Sequence, residues 1–399
     1  MRALVTSSRM PYALGMVRLL ADAGHEVFAA DDYERSPGSH SKYLSGPFVY
    51  PSARGDTEAF IDELERLLGE HEIDALVPAF EEAFYISTQL ERLQRAATIF
   101  AAPFGSLARL HDKAAFEAMV RDLGLPIPET VVATSDEQLE QAIGRFVRYF
   151  ARAVFSRGGV ALLTNTGPLT GLLDPADVHP TPEEPWVVQP FVEGETVCTY
   201  STVPACTVSS HLMYRIPRQW HHSTGIQFES VDGLDSLRLV EPIVAELGYT
   251  GQISFDFLVT PDGLSFVECN PRATDGLLLL DSEQLARGLF EADADTFLLP
   301  AGETTQLDLA LVGDAFSDKL ERVPETIRDL ARFKDAGDGW HDPLPTVYSA
   351  LSLAHFEGVS HKSHAVLQDA MDADMSWDGD PIKGMSDADA KLLDALRDG

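Results

Sequence analysis

Residues 251–272 read Gly251-Gln252-Ile253-Ser254-Phe255-Asp256-Phe257-Leu258-Val259-Thr260-Pro261-Asp262-Gly263-Leu264-Ser265-Phe266-Val267-Glu268-Cys269-Asn270-Pro271-Arg272. Two strand-like runs flank a Pro-Asp-Gly turn, which is the composition of a hairpin. A three-residue connection with Gly263 in the left-handed region sets Asp256 opposite Glu268, with Asn270 two residues along on the same face. Phe255, Phe257, Phe266 and Val267 take the alternate positions and are expected on a second, dry face. Three hard oxygen donors on one face suit Mg²⁺, which shares its remaining coordination with water and substrate phosphates; Mn²⁺ fits the same set, and nothing here suits zinc. A merely solvated polar face gives the same alternation, so the hairpin alone leaves both readings open.

Upstream, the chain alternates strand-like and helix-like segments. Residues 2–6 read as a buried strand, 11–23 as a helix with Pro11 at its start and Gly24 as its stop, and 26–30 as a second strand. An amphipathic helix over 57–70, a strand at 75–77 and another at 98–101 extend the pattern to a doubly wound parallel sheet. The first turn, Thr6-Ser7-Ser8-Arg9-Met10-Pro11, lacks the GxGxxG of a dinucleotide site and reads as a helix start. Ser7, Ser8 and Arg9 remain candidate ligands for a carboxylate. Residues 107–123 read as one helix, broken by Gly124 and Pro126, and residues 186–300 are dominated by strands.

The 399 residues exceed a usual single domain, and 45% hydrophobic with 23% charged residues is globular composition. Sixty-three Asp and Glu against 30 Lys and Arg give a net charge of −33, which repels nucleic-acid phosphates and anionic lipid and suits a salty habitat. Neither nucleic acid nor membrane is therefore an expected partner. ATP is compatible with that field wherever local cations gather in one cleft. Cys198, Cys206 and Cys269 form no CxxC spacing, and the apolar stretch at residues 3–5 is far too short for a signal-peptide core. A reducing, cytoplasmic setting is the expectation.

Taken in order, six segments carry a resemblance: Gly24-His25-Glu26-Val27, Val77-Pro78-Ala79-Phe80-Glu81-Glu82, His111-Asp112-Lys113, Phe155-Ser156-Arg157-Gly158-Gly159-Val160, Gln189-Pro190-Phe191-Val192-Glu193-Gly194 and Glu268-Cys269-Asn270-Pro271-Arg272. From Arg2 to about Pro300 the chain resembles the ATP-grasp superfamily, in its carboxylate–amine ligase and carbamoyl-phosphate-synthase-like branch. The resemblance implies an α/β fold: a doubly wound pre-ATP-grasp sheet over 1–105, a small lobe over 106–185, a large lobe with the metal hairpin over 186–300, and an extension of unassigned role over 301–399. It implies ATP and Mg²⁺ as cofactors, a small-molecule carboxylate and an amine as substrates, and amide formation through an acyl phosphate. A homo-oligomer is compatible with it. Alternatives are bicarbonate activation of the carbamoyl-phosphate or biotin-carboxylase kind, and a nucleotide-binding protein with weakened catalysis.

Residue by residue, the resemblance makes Asp256, Glu268 and Asn270 the metal ligands and aims Arg272 at the transferred phosphoryl group. Lys113 and the Ser156, Gly158, Gly159 turn match phosphate contacts. Arg152 stands where the family's second ATP lysine is expected, keeping the charge with a different shape. Gln189 matches the reader of the adenine amine, the backbone of Phe191 and Val192 the ring edge, and Leu258 and Val154 the apolar faces. For the ribose the family places glutamate where this chain has Thr196, so Glu193 or Glu195 is expected to substitute. Arg215, in a stretch rich in basic and aromatic residues that includes His221 and His222, is a candidate clamp for a carboxylate or acyl phosphate, with an ordinary surface loop as the alternative. Glu81 and Glu82 lie where open sheets place ligands and are candidates for binding an amine, although acids at a helix start are also common for dipole reasons. A calcium loop at 372–378 is excluded by Trp377 in the glycine position, and His361 and His364 read as a solvated helix.

Overall fold

The computed structural model describes the chain except residues 157–161, 221–223, 293–294, 309, 312–313, 315–322, 337–340, 364–366 and 399. Its N-terminal strands are β1 (Arg2–Val5), β2 (Glu26–Asp31), β3 (Gly46–Val49), β4 (Ala75–Val77) and β5 (Thr98–Ile99), all parallel in the order β3-β2-β1-β4-β5. Ala3, Leu4 and Val5 are buried on both faces, as a sandwiched parallel strand requires. The helix Pro11–Asp22 opens on proline, and Gly24 (φ +86°) turns the chain into β2. The helix Thr57–Glu70 is capped by Asp56, whose carboxylate accepts from the Ala59 amide, and its 3.6-residue apolar stripe buries Phe60, Leu64 and Leu67. Strand order reverses between β1 and β4, so the segments after them, 6–9 and 78–82, meet at one crevice.

The expected single helix at 107–123 is two helices, Phe104–His111 and Lys113–Asp122. Asp112 breaks it with an extended backbone (φ −67°, ψ 112°), and its carboxylate accepts from the amides of Ala114 (2.9 Å) and Ala115 (2.8 Å). A residue that competes for backbone donors interrupts a helix more readily than it extends one. The break puts Lys113 at a helix start.

A small antiparallel sheet follows, with β6 (Val131–Ala133), β7 (Tyr149–Ala153), β8 (Leu162–Thr164) and β9 (Trp186–Pro190) in the order β6-β9-β7-β8. By sheet membership this unit runs through Pro190, beyond the division expected at residue 185. The large sheet contains β10 (Glu195–Val203), β11 (Ser210–Trp220), β12 (Thr224–Val231), β13 (Gly251–Thr260) and β14 (Gly263–Asn270), joined by β15 (Phe297–Leu298), β16 (Thr304–Gln306) and β17 (Lys334–Asp335). Phe255, Phe257 and Phe266 are fully buried on one face of the β13/β14 pair, where Phe116 of the helix Lys113–Asp122 packs on them with ring centroids 6.0 and 5.8 Å from Phe255 and Phe266.

Described segments within 301–399 pack on the rest of the chain. β16 and β17 extend the large sheet, and later segments return to the N-terminal unit. Asp342 is buried against Arg18 and accepts from Ser41 Oγ (2.6 Å) and the Lys42 amide (3.0 Å). Among the described residues no helix is long and apolar enough to cross a membrane.

Candidate active site

The hairpin achieves the expected pairing by a different route. Thr260 pairs with Gly263 (φ +115°), so the turn is the two-residue Pro261-Asp262. That register would put Asp256 opposite Val267. A bulge between Asp256 and Phe257 absorbs one residue of β14, and Asp256 faces Glu268, with Ser254 opposite Asn270. Val267 consequently leaves the dry face expected for it and lines the cleft.

That cleft has a volume of ≈ 360 Å³ and lies between the small and large sheets. Asp256, Glu268, Arg152 and Ser156 line its polar side. Arg152 Nη1 is ion-paired with Glu268 Oε2, and Nη2 donates to the Val267 carbonyl at 2.9 Å. Its Nε is buried and has no hydrogen-bond partner among the described residues. The Lys113 ammonium donates to the carbonyls of Ser156 (2.6 Å) and Val154 (3.2 Å). Burial, reinforced by the Glu268 charge, pushes the Asp256 carboxyl up from its ordinary value. Burial acts the same way on Glu268, but the Arg152 and Lys113 cations outweigh it and hold that group below the usual carboxylate range. Arg152 in the lining and Lys113, held on the Ser156 carbonyl, thus balance the two carboxylates.

The other side is apolar: Phe150, Leu162, Phe191, Val192 and Leu258 line it, with Pro128 at the edge. Gln189, nine-tenths buried, donates from Nε2 to Thr130 Oγ at 2.7 Å, which fixes the amide plane. A site apolar along one wall and charged at one end can hold a flat heterocycle joined to phosphates.

No family model matches the chain, and comparison with curated proteins finds none similar in sequence. Solved structures do match. One is N5-carboxyaminoimidazole synthetase from Staphylococcus aureus complexed with ADP, at TM-score 0.60 and 12% identity over 80% of this chain and 86% of that one. Another is phosphoribosylamine–glycine ligase from Thermotoga maritima, at TM-score 0.57 and 14% identity over 76% and 78%. A third is biotin carboxylase from Campylobacter jejuni, at TM-score 0.53 and 16% identity over 72% and 70%. The chain has the ATP-grasp fold.

Within the ATP-grasp module, the structure brings Arg152, Ser156, Gln189, Phe191, Val192 and Leu258 to one cleft with Asp256 and Glu268. Asn270 lies one step further on the same face of the hairpin, its Oδ1 accepting from Arg272 Nη2 at 3.2 Å. Arg272 also stacks over Phe80 at 4.6 Å and lies 3.8 Å from Glu81 Oε1, so it links the hairpin to the N-terminal crevice. Gly158, Gly159, His221, His222 and His364 lie outside the described residues.

Other expected residues are not at the cleft. Glu193 is turned to Arg148, at 2.7 Å. Glu195 and Arg215 sit on the opposite face of the large sheet, since Thr196 and Cys198 alternate with Glu195 and Val197, and Arg215 pairs with Glu229. The cleft-facing residue is Thr196 itself. Glu82 does not offer a free carboxylate to an amine: it accepts from Thr6 Oγ (2.5 Å) and the amides of Ala79 (2.9 Å) and Phe80 (3.0 Å), anchoring the turn after β4. Arg9 is likewise committed, buried against Asp31 with Nε donating at 2.8 Å and bonded through Nη1 to the Met371 carbonyl. Phe150 was missed, although it is two residues before Arg152 on the same strand face. Pro128 carried no signal in the sequence.

Proposed function

We propose that the protein is an ATP-dependent carboxylate–amine ligase. One observation carries the reading: a cleft with an apolar wall ends in two carboxylates and the Arg152 cation, whose buried Nε has no acceptor among the described residues. A phosphate oxygen supplies that acceptor. Asp256 and Glu268, with the amide oxygen of Asn270, are a hard-oxygen set fitted to Mg²⁺ or Mn²⁺. The ion, when bound, neutralises the phosphates and polarises the group being transferred.

In this reading Lys113, Arg152 and the Ser156 turn hold the phosphates. Gln189 reads the adenine amine, the backbone of Phe191 and Val192 reads the ring edge, and Leu258 covers its face. Thr196, rather than Glu193 or Glu195, is the side chain near the ribose. A substrate carboxylate oxygen attacks the γ-phosphorus, the bond to the β-phosphate oxygen breaks, and ADP leaves an acyl phosphate. The amine nitrogen then attacks the acyl carbon and loses a proton as inorganic phosphate departs. In this reading Arg272, which contacts Asn270 and lies 3.8 Å from Glu81, meets both the transferred group and a substrate entering from the N-terminal crevice. In this scheme residues 1–105 supply that crevice, and the lobes expected at 106–185 and 186–300, divided after Pro190 by sheet membership, supply the two sides of the cleft.

A screen of acid and amine pairs with Mg²⁺, reading ADP and phosphate release and the mass of the product, tests the assignment. Coupled release of both with an amide product supports it. A binding role without turnover is favoured by the Arg152–Glu268 pair, which ties the cation that lines the cleft to one of its two carboxylates. MgADP binding with no ADP release from MgATP under any pair would establish that second reading.

A further inference from the structure

The segment Asp372–Asp380 crosses the N-terminal unit and reaches the turn that follows β7. Trp377 is 1% exposed, and its ring lies against Phe84 (4.6 Å, stacked), Phe104 (5.4 Å, edge-on) and Phe155 (5.4 Å, edge-on). Phe155 directly precedes Ser156, whose carbonyl receives the Lys113 ammonium, and follows Arg152 by three residues. On its other side Trp377 donates its backbone N–H to Glu81 Oε2 at 3.0 Å, while Glu81 Oε1 lies 3.8 Å from Arg272. One residue therefore touches both the phosphate-side turn and the partner of the arginine that faces the hairpin.

The segment is built to stay in place. Tyr85 OH donates to the Ser376 carbonyl (2.8 Å), Arg54 Nη1 to Asp378 (2.6 Å), and Trp377 Nε1 closes its own turn onto the Asp380 carbonyl (2.7 Å). Gly379 has φ +85°, and a Cβ there would fall 2.5 Å from the Phe155 ring. Both the backbone conformation and the space require glycine at this contact.

We propose that this segment is a strap that positions the nucleotide cleft, with Trp377 as a positioning residue acting through Phe155 and Glu81. The proposal rests on the nucleotide reading of the cleft for its consequence, and on the contacts alone for its mechanics. Packed interiors transmit displacement, so removing the indole or forcing a Cβ at Gly379 shifts Phe155 and, with it, Ser156 and the acceptor carbonyls of Lys113.

The test uses the full chain, with MgADP titration and hydrogen exchange on peptides covering residues 150–156, the latter without nucleotide. Trp377→Ala is expected to weaken MgADP binding by about tenfold and to speed exchange in that peptide, as a small misplacement far from the chemistry does. Trp377→Phe restores both to near the parent values, and Gly379→Ala reproduces the loss. Where Trp377→Ala does not fold, Gly379→Ala decides. Unchanged affinity and unchanged exchange in a folded variant overturn the strap. A parent protein that binds no MgADP, but whose variants show the exchange change, removes the nucleotide reading and leaves the strap standing.

Discussion

Glu268 and Arg152 hold each other in a cleft where each is assigned a different ligand. Replacing the carboxylate therefore has two effects of opposite sign. Glu268→Gln removes a hard-oxygen donor, and Mg²⁺-dependent nucleotide affinity is expected to fall at least about tenfold. The same change frees the Arg152 guanidinium, so binding of ADP in chelator is expected to strengthen. Calorimetry with and without Mg²⁺ checks both; a loss in both conditions would show that the pair is structural. His211 supplies a residue-scale prediction that is independent of the site. It is fully buried between Ser201 Oγ and Ser236 Oγ, each 2.8 Å from a ring nitrogen, and burial lowers its pKa to about 3. The unfolded imidazole titrates near ~6.5. The unfolded state therefore takes up a proton first as pH falls, and stability present above that value is lost at about 1.4 kcal/mol per pH unit. Urea unfolding at pH 6 and pH 5 should give a slope that His211→Gln lowers by about this amount, the other titrating groups being common to both proteins; an unchanged slope refutes the assignment.

At the level of elements, the hairpin depends on a turn and a bulge acting together. Gly263 has φ +115°, where only glycine is comfortable, and open space surrounds its missing Cβ. Gly263→Ala is thus expected to cost about 1–3 kcal/mol from backbone strain alone, read as a lower urea midpoint. A neutral result would mean that the turn changes conformation freely. The alternation of Phe255 and Phe257 with Asp256 made the two faces of β13 legible, because a period of two is a local property, whereas Phe266 and Glu268, two residues apart, reach opposite faces only through the bulge. The bulge was not legible, since an extra residue in one strand leaves no mark in the alternation until the register is known. Parity explains the misses on β10: once Val259 is paired with Glu195, Thr196 must share a face with Leu258, but that pairing spans more than sixty residues of chain.

For the whole molecule, the least legible part was residues 301–399. Their contacts with the N-terminal unit join positions about three hundred residues apart, such as Trp377 with Glu81 and Asp342 with Arg18, and no local pattern announces them. The Arg18–Asp342 pair is buried on both sides, at 6% and 1% side-chain exposure. Asp342→Ala leaves the guanidinium buried without its main counter-charge and is expected to destabilise the chain by about 3–5 kcal/mol. Thermal and urea unfolding measure this. A loss of a few tenths would mean that the C-terminal region docks loosely.

In the proposed function Asp256 and Glu268 hold a divalent cation that anchors the phosphates of a nucleotide in the cleft. Anomalous diffraction from crystals grown with Mn²⁺ and ADP tests it most directly. The manganese peak is expected between those two carboxylates, with the phosphates against Lys113 and Arg152. A peak elsewhere, or nucleotide bound with the Arg152–Glu268 pair intact and no metal beside it, would contradict it.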